Sequence, residues 1–127
     1  MKAKFIKTSS PLDMYSTLGK FEDKRGIIQD LLVGKKGAAT YITFAKGAVR
    51  GNHYHKKTVQ YDFILSGRLL CKGYRKTKWV EAGEMVVHQP MTPHAYKAEV
   101  KSEIISLVYG PRKGENYSKD TYAYQLL

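Results

Sequence analysis

The chain has 127 residues, which is the size of one domain that can bury a core of its own. Hydrophobic residues make up 43% of it, which argues against intrinsic disorder, and no apolar run approaches the roughly 20 residues of a membrane span. The formal net charge is +11, and a surplus of this size indicates an anionic partner.

The basic residues are spread along the chain rather than gathered in one segment. They form small groups at Lys35–Lys36, Lys56–Lys57, Arg75–Lys78 and Arg112–Lys113. Neither a recognition-helix pattern nor an aromatic RNA-binding box accompanies them, so nucleic acid is not the predicted partner. A phosphorylated small molecule would use the same charge, whereas a solvated basic surface would carry it without any ligand.

Cysteine usage and the N-terminus bear on the cellular compartment. The single cysteine, Cys71, excludes an intrachain disulfide and is predicted to be a small buried side chain. Residues Met1–Lys7 lack the long apolar core of a signal peptide. Both features are compatible with the cytoplasm, which is the predicted location, and no membrane partner is predicted.

Short apolar runs dominate the chain after a possible short helix near Pro11–Tyr15. The runs are Ile27–Val33, Ala38–Ala45, Val59–Leu65, Arg68–Lys72, Lys78–Val80, Glu84–His88, His94–Val100 and Glu103–Tyr109. Gly, Pro and charged clusters separate them, and no window of eleven residues has a convincing helical period. This rhythm predicts an all-β sandwich or barrel in a single domain, residues 1–127. The tail from Gly110 to Tyr122 is predicted to pack against the barrel or against a second subunit.

The most informative stretch runs from Gly47 to Gln60 and closes at Gly67. It places His53 and His55 one residue apart, so on an extended strand both imidazoles point to the same face. Two neutral imidazoles side by side suit a divalent metal, or a histidine base with a polar partner. Both interpretations require a concave, partly buried site.

A second motif runs from Gly83 through a strand and a proline turn to His94. With the first motif it resembles the cupin superfamily, whose first motif is G-x5-H-x-H-x4-E-x6-G and whose second is G-x5-P-x-G-x2-H. Gln89 and Met91 stand where the second motif has its proline and glycine, and two prolines are predicted to make the turn instead, Pro90 and Pro93. The resemblance implies an all-β double-stranded β-helix, the jelly-roll cupin barrel, with a core at about residues 22–122.

The resemblance also implies a metal site. Carried across by position, the family's ligands fall on His53, His55, Gln60 and His94. Gln60 replaces the glutamate that the family most often has, and a neutral amide oxygen stabilises a dication less than a carboxylate does. One divalent metal ion is therefore expected, zinc, iron, nickel or manganese, and no organic cofactor; the alternative is a metal-free pocket with hydrogen-bonded histidines.

Two further side chains on neighbouring strands have open roles. Asp62 lies two residues past Gln60, so both face the same side of a regular strand. Asp62 is a candidate replacement ligand, or a catalytic partner that holds an imidazole in one tautomer and raises its basicity, or a surface residue after a local bulge. His88 shares a strand face with Glu84 and Val86, and it either contacts the substrate in the pocket or is structural.

A finer resemblance lies in the residues that flank the first motif. Four parts of the chain look like the dTDP-4-keto-6-deoxyhexose 3,4-ketoisomerases: Arg50–Lys57, Gln60, Glu22–Gly26 and the ending Asp120–Tyr122. They are also similar to the C-terminal cupin domain of capsular-polysaccharide enzymes that epimerise a UDP-sugar. The ketoisomerases act without a metal and the capsular domain binds zinc; Gln60 resembles the former and His94 the latter.

This resemblance implies an isomerase or epimerase of a nucleotide-linked 4-keto sugar, a small anionic substrate. A base, His53 or His55, would remove the proton next to the carbonyl, and the proton would return to a different atom or face of the enediolate. Arg50 would contact the diphosphate. A phenolic group would stabilise the oxyanion, and the candidates are Tyr41, Tyr61 and Tyr96.

Two other functions stay open, and so does the oligomeric state. The same ligands could serve an iron- or nickel-dependent oxygenase of a small metabolite, or the barrel could bind a ligand without turnover. A homodimer is expected, because an exposed strand edge invites pairing. Phe5–Ile6 and Tyr122–Leu127 are the candidate exchanged edges.

Overall fold

The chain forms two antiparallel β-sheets that face each other. A computed structural model describes residue 3, residues 20–112 and residues 119–127, and these residues contain strands but no helix. The all-β prediction is therefore confirmed, whereas the helix predicted at Pro11–Tyr15 and the edge at Phe5–Ile6 lie outside the described residues. No helix of the described ranges could cross a membrane.

Eleven strands are present in the described ranges. The six-stranded sheet has the order β1-β2-β3-β10-β5-β8 and consists of β1 Lys20–Asp23, β2 Gly26–Val33, β3 Gly37–Phe44, β10 Ser102–Tyr109, β5 Val59–Ser66 and β8 Met85–His88. The five-stranded sheet has the order β11-β4-β9-β6-β7 and consists of β11 Tyr122–Ala123, β4 Val49–Tyr54, β9 His94–Ala98, β6 Arg68–Gly73 and β7 Thr77–Glu81.

All eight predicted apolar runs overlap strands, but three strands were not among them. β1 and β11 are short and largely exposed, so they have no apolar face to signal them. β4 is mostly polar and carries His53, while His55 directly follows it. β11 pairs with β4 of the same chain, which confirms that this part of the tail packs against the barrel, while the homodimer stays a prediction.

The interior of the barrel is apolar at one end and polar at the other. Along β3 and β10 every second residue is buried, as the period of two requires. The apolar end is built from Ile42, Phe44, Ile64, Leu69, Val80 and Ile104. The buried polar residues of the two sheets include Thr40, His55, Gln60, Asp62, His88, His94 and Ser106. A buried set of this kind requires internal partners or a ligand.

A one-residue bulge in β4 decides which of its side chains face inward. Gly51 pairs with Ala95 and His53 pairs with His94, so Asn52 is an extra residue with a φ of 57°. Without the bulge, Arg50 and His53 would lie on opposite faces, because side chains alternate along a strand. Gly51 has a φ of 96°, and a Cβ there would lie 2.7 Å from the carbonyl oxygen of His94.

We expect Gly51→Ala to destabilise the protein far more than Gly47→Ala. Both glycines have positive φ, so each alanine carries about 1–2 kcal/mol of backbone strain. Only the Gly51 methyl meets the β9 backbone, whereas a Cβ at Gly47 has no atom within 4 Å. Urea unfolding of both variants measures the difference, and equal losses would contradict the close approach of β4 to β9.

Candidate metal centre

The two sequence motifs meet at a cluster of three histidines inside the barrel. His53 on β4 lies opposite His94 at the start of β9, and His55 directly follows β4. One ligand atom from each ring lies within 4.8 Å of the others. His55 and His94 are buried, and His53 is half-buried. The structure thus brings together the three histidines that the motif spacing singled out.

Main-chain carbonyl groups fix the tautomers of two of these rings. The Nδ1 atom of His55 lies 2.8 Å from the carbonyl oxygen of Asp120, and that of His94 lies 3.2 Å from the carbonyl oxygen of Thr92. A carbonyl oxygen only accepts, so each Nδ1 carries the hydrogen and each Nε2 presents a lone pair. The His94 Nε2 atom is buried and has no hydrogen-bond partner in the described structure.

Gln60 directs a second lone pair to the same place. Its Nε2 atom donates to both carboxylate oxygens of Asp62, at 3.0 and 2.9 Å, and this fixes the orientation of the amide. The Oε1 atom therefore faces the Nε2 atom of His55, at 3.2 Å. Two acceptors that face each other need a shared proton or a cation between them, so this donor set fits a divalent metal.

The protonation states also suit ligands. Burial is the main reason why the pKa of His53 falls to about 3, with a further contribution from His55 and Arg112. Burial and the neighbouring His88 lower the pKa of His94 to about 2, and burial lowers the pKa of His55 as well. All three rings are therefore neutral near pH 7, which is the form that binds a metal or accepts a proton.

Asp62 lies behind Gln60 and is fully buried, so the surface alternative is wrong. Besides the Gln60 amide it accepts a hydrogen bond of 2.7 Å from the Tyr96 hydroxyl, and it lies 3.1 Å from Nε2 of His88. Burial alone would raise the pKa of Asp62, but the hydrogen bond and charge of His88, with Tyr96, hold it below its usual value. Asp62 orients the amide and His88, rather than His53 or His55.

Tyr96 and His88 support the centre from behind. The His88 ring stacks on the His94 ring with 4.0 Å between centroids, and its Nε2 atom lies 2.6 Å from the Tyr96 hydroxyl. Burial and the charge of Asp62 raise the pKa of Tyr96 well above its usual value. With 3% and 4% of their surfaces exposed, Tyr96 and His88 are placed to hold other residues, and the substrate contacts expected of them stay a prediction.

The structure does not bring Arg50, Tyr41 or Tyr61 to the cluster. The Arg50 guanidinium donates to the carbonyl oxygen of Thr43, and the charges that act on its pKa are those of Arg25 and Asp23. Tyr41 donates to Glu103 on the outer face of the six-stranded sheet, and Tyr61 is 37% exposed there. The period of two explains both tyrosines, because their neighbours along β3 and β5 point inward.

Two residues that the sequence analysis gave no role lie at the site. The carboxylate of Asp120 accepts hydrogen bonds from the main-chain N–H groups of Lys56, Lys57 and Thr58 and from the Thr58 hydroxyl. Together with its carbonyl contact to His55, Asp120 therefore fixes the segment that follows the His-x-His pair. The charge of Arg112 acts on both His53 and His55. Only the flank ending in Asp120–Tyr122 signalled this region.

The proline turn of the second motif is present despite its altered sequence. The Thr92 N–H donates to the carbonyl oxygen of Gln89, with Pro90 and Met91 between them. Met91 takes a φ of 68° at the position where the cupin motif has glycine, which is a type II turn. Pro90 thus makes the turn as predicted, whereas Pro93 follows it and leads into β9.

Comparison with known proteins agrees with this architecture. The sequence profile of the cupin domain matches residues 40–108, which is more than half of the chain. The chain belongs to the cupin family. A comparison with curated protein sequences found no match.

Solved cupin structures share the fold at low sequence identity. The capsular polysaccharide assembling protein CapF from Staphylococcus aureus has a TM-score of 0.71 and 18% identity over 90% of this cupin and 36% of CapF. An RmlC-like cupin from Shewanella frigidimarina has a TM-score of 0.68 and 17% identity over 87% of this cupin and 94% of its own chain. A Bacillus subtilis oxalate decarboxylase variant has a TM-score of 0.73 and 18% identity over 97% of this cupin and 33% of its own chain. This cupin spans about a third of CapF.

Removal of the Asp120 side chain should weaken metal binding. In Asp120→Ala, the donors at residues 56–58 lose their acceptor, so the segment that places the Asp120 carbonyl against the His55 ring is held less firmly. We expect zinc affinity to fall about 10- to 100-fold, as for the loss of other groups that orient metal ligands. Competition with a chromophoric chelator measures it, and Glu99→Ala, an exposed carboxylate paired with Arg68, is the control. Unchanged affinity with lowered stability would limit Asp120 to a structural role.

The Asp62–Gln60 pair allows a double-variant test. Asp62→Asn frees the amide to turn its N–H groups toward the centre, and Gln60→Glu places two carboxylates in contact, so each single change should weaken zinc binding about 10-fold or more. Gln60→Glu with Asp62→Asn combines the family's carboxylate ligand with an amide donor behind it, and should bind zinc more tightly than either single variant. Additive losses in the double variant would contradict the orienting role of Asp62.

Proposed function

We propose that this cupin is a metal-dependent isomerase or epimerase of a nucleotide-linked 4-keto sugar. The observation that carries the proposal is the convergence of neutral donors, three histidines and one amide, inside the barrel. Because no carboxylate belongs to this set, a bound dication would keep its full charge for an anionic oxygen. That property suits an enediolate, whose charge develops on the former carbonyl oxygen.

The residues divide into fixed ligands and one freer ring. His55, His94 and Gln60 are each held by a neighbour, so we assign them to the metal. His53 is half-buried and its ring makes no hydrogen bond to the described residues, so it faces the substrate and is the histidine available to take the proton. With a pKa of about 3, His53 is a weak base. A divalent metal held by His55, His94 and Gln60 would supply the Lewis acidity that makes a C–H next to a carbonyl more acidic.

Two further facts support an anionic sugar substrate. The net charge of +11 favours an anion over a neutral metabolite. Two of the structures with the same fold are named as a capsular polysaccharide assembling protein and an RmlC-like cupin. At 17–18% identity they share the fold with this chain, and its substrate is our proposal.

Deuterium incorporation tests the reaction. Zinc-, manganese-, iron- and nickel-loaded protein is incubated in deuterated water with dTDP- and UDP-4-keto-6-deoxyhexoses, and mass spectrometry follows the mass of the sugar. We expect gain of one deuterium next to the carbonyl, its loss after chelation, and a rate at least about 100-fold lower in His53→Gln that still binds metal. No exchange with either nucleotide under any metal would refute the proposal, and oxygen uptake by the iron or nickel form would replace it with an oxygenase.

A further inference from the structure

Arg112 is held at the site by its backbone. It follows β10, and its main-chain N–H donates to the Thr58 hydroxyl at 3.1 Å. Two residues earlier, Gly110 packs so closely on Thr58 that a Cβ there would lie 2.7 Å from the Thr58 Cα. Thr58 belongs to the segment that Asp120 fixes, directly after His55. The backbone of Arg112 is thus tied to the same loop as a proposed metal ligand.

The side chain of Arg112 lacks the partners that the other arginines have. Its Nε atom is buried without a hydrogen-bond partner in the described structure, and no described carboxylate oxygen lies within 4.0 Å of its guanidinium. By contrast, Arg25 and Arg68 form ion pairs and Arg50 donates to a carbonyl oxygen. Arg75 lies over the exposed ring of Tyr74. Among these arginines, Arg112 is half-buried and is the one whose Nε atom is buried and unpaired within the described residues.

The charge of Arg112 acts on titratable groups at the polar end of the barrel. Burial is the largest influence on its pKa and lowers it, while the carboxylates of Asp62 and Asp30 act in the opposite direction. Asp30 accepts a hydrogen bond from Thr40, and Asp62 is bound to Gln60 and Tyr96, so both carboxylates already have partners. A buried cation without a counter-ion is costly, which leaves room for an anion from outside the chain.

We propose that Arg112 binds an anionic oxygen pair of the substrate, a carboxylate or a phosphate, beside the histidine cluster. The planar guanidinium offers parallel N–H groups that match either anion in a bidentate contact. The proposal rests on the proposed function in placing the substrate inside the barrel, and it assigns to Arg112 the contact with the anion that the sequence analysis gave to Arg50. A nucleotide diphosphate and a sugar acid would present the same chemistry.

Calorimetric titration of the zinc-loaded protein tests the assignment. The probes are UDP and dTDP for phosphate, glucuronate for carboxylate, and uridine as the uncharged counterpart. We expect wild type to bind at least one anion and to bind uridine much more weakly. Arg112→Gln should weaken that anion about 10- to 100-fold, the range for loss of hydrogen bonds to a charged group. Arg112→Lys keeps the charge but lacks the planar pair of N–H groups, so its anion affinity should lie between those of wild type and Arg112→Gln.

Matched controls make the result specific. Arg75→Gln removes the same charge from an exposed position and should change anion affinity less than about twofold, since long-range charge effects are screened. Zinc affinity in Arg112→Gln should stay near wild type; if this variant does not fold, Arg112→Lys decides. Equal losses in Arg75→Gln and Arg112→Gln, full affinity in both Arg112 variants, or no anion binding by wild type would each overturn the proposal.

The two proposals fail in different ways. Arg112-dependent binding of UDP or dTDP without deuterium exchange would refute the isomerase and leave the anion site in place. Deuterium exchange with an unchanged Michaelis constant in Arg112→Gln would refute the anion site and leave the isomerase in place. Arg112-dependent binding of glucuronate but not of the nucleotides would support the anion site and move the substrate class to sugar acids.

Discussion

The pairing of β4 with β9 across a one-residue bulge is the constraint on which the site depends. It turns His53 inward and sets it opposite His94, although Arg50 already points inward three residues earlier. The extra residue, Asn52, has a left-handed backbone, a conformation that asparagine tolerates better than most residues. Its side-chain oxygen accepts hydrogen bonds from the main-chain N–H groups of Leu126 and Leu127. These residues therefore stabilise the bulge that turns His53 toward the barrel interior.

The C-terminal tail therefore holds the site at two points. Asn52 ties the tail to the bulge, and Asp120 ties it to the loop after His55. The stacked rings of Tyr54 and Tyr122, on the outside of the barrel, join the same two segments. β11 has only two residues, both exposed, and buries little apolar surface, so these specific contacts hold it in place of a hydrophobic face. The orientation of His55 thus depends on residues about 65 positions away in the sequence.

Features that depend on residues close together in the sequence could be predicted, whereas features that depend on distant contacts could not. Apolar residues at alternate positions predict the strands. The spacing of the cupin motifs predicts that His53, His55, Gln60 and His94 belong to one site. The side of Asp62 was predictable because β5 is regular between residues 60 and 62. By contrast, no local pattern marks the bulge at Asn52, which brings Arg50 and His53 to the same face, or the contact that Arg50 makes with Thr43. Arg112 and Asp120 reach the site through contacts with residues 55–58, which lie more than fifty positions away in the sequence.

Most buried polar atoms at the polar end of the barrel are paired within the described residues, and two of the unpaired ones have opposite needs. Asp62 accepts hydrogen bonds from Gln60 and Tyr96 and lies against His88, so these contacts stabilise its buried negative charge. At the described centre the His94 Nε2 atom has a lone pair without a donor, and the Arg112 Nε atom has a hydrogen without an acceptor. A cation would satisfy the first and an anion the second, while the His94 ring and the Arg112 backbone are each held by a contact of their own. A bound metal with an anion beside it would satisfy both at once, and this is the physical basis on which we propose metal binding and anion recognition at one site.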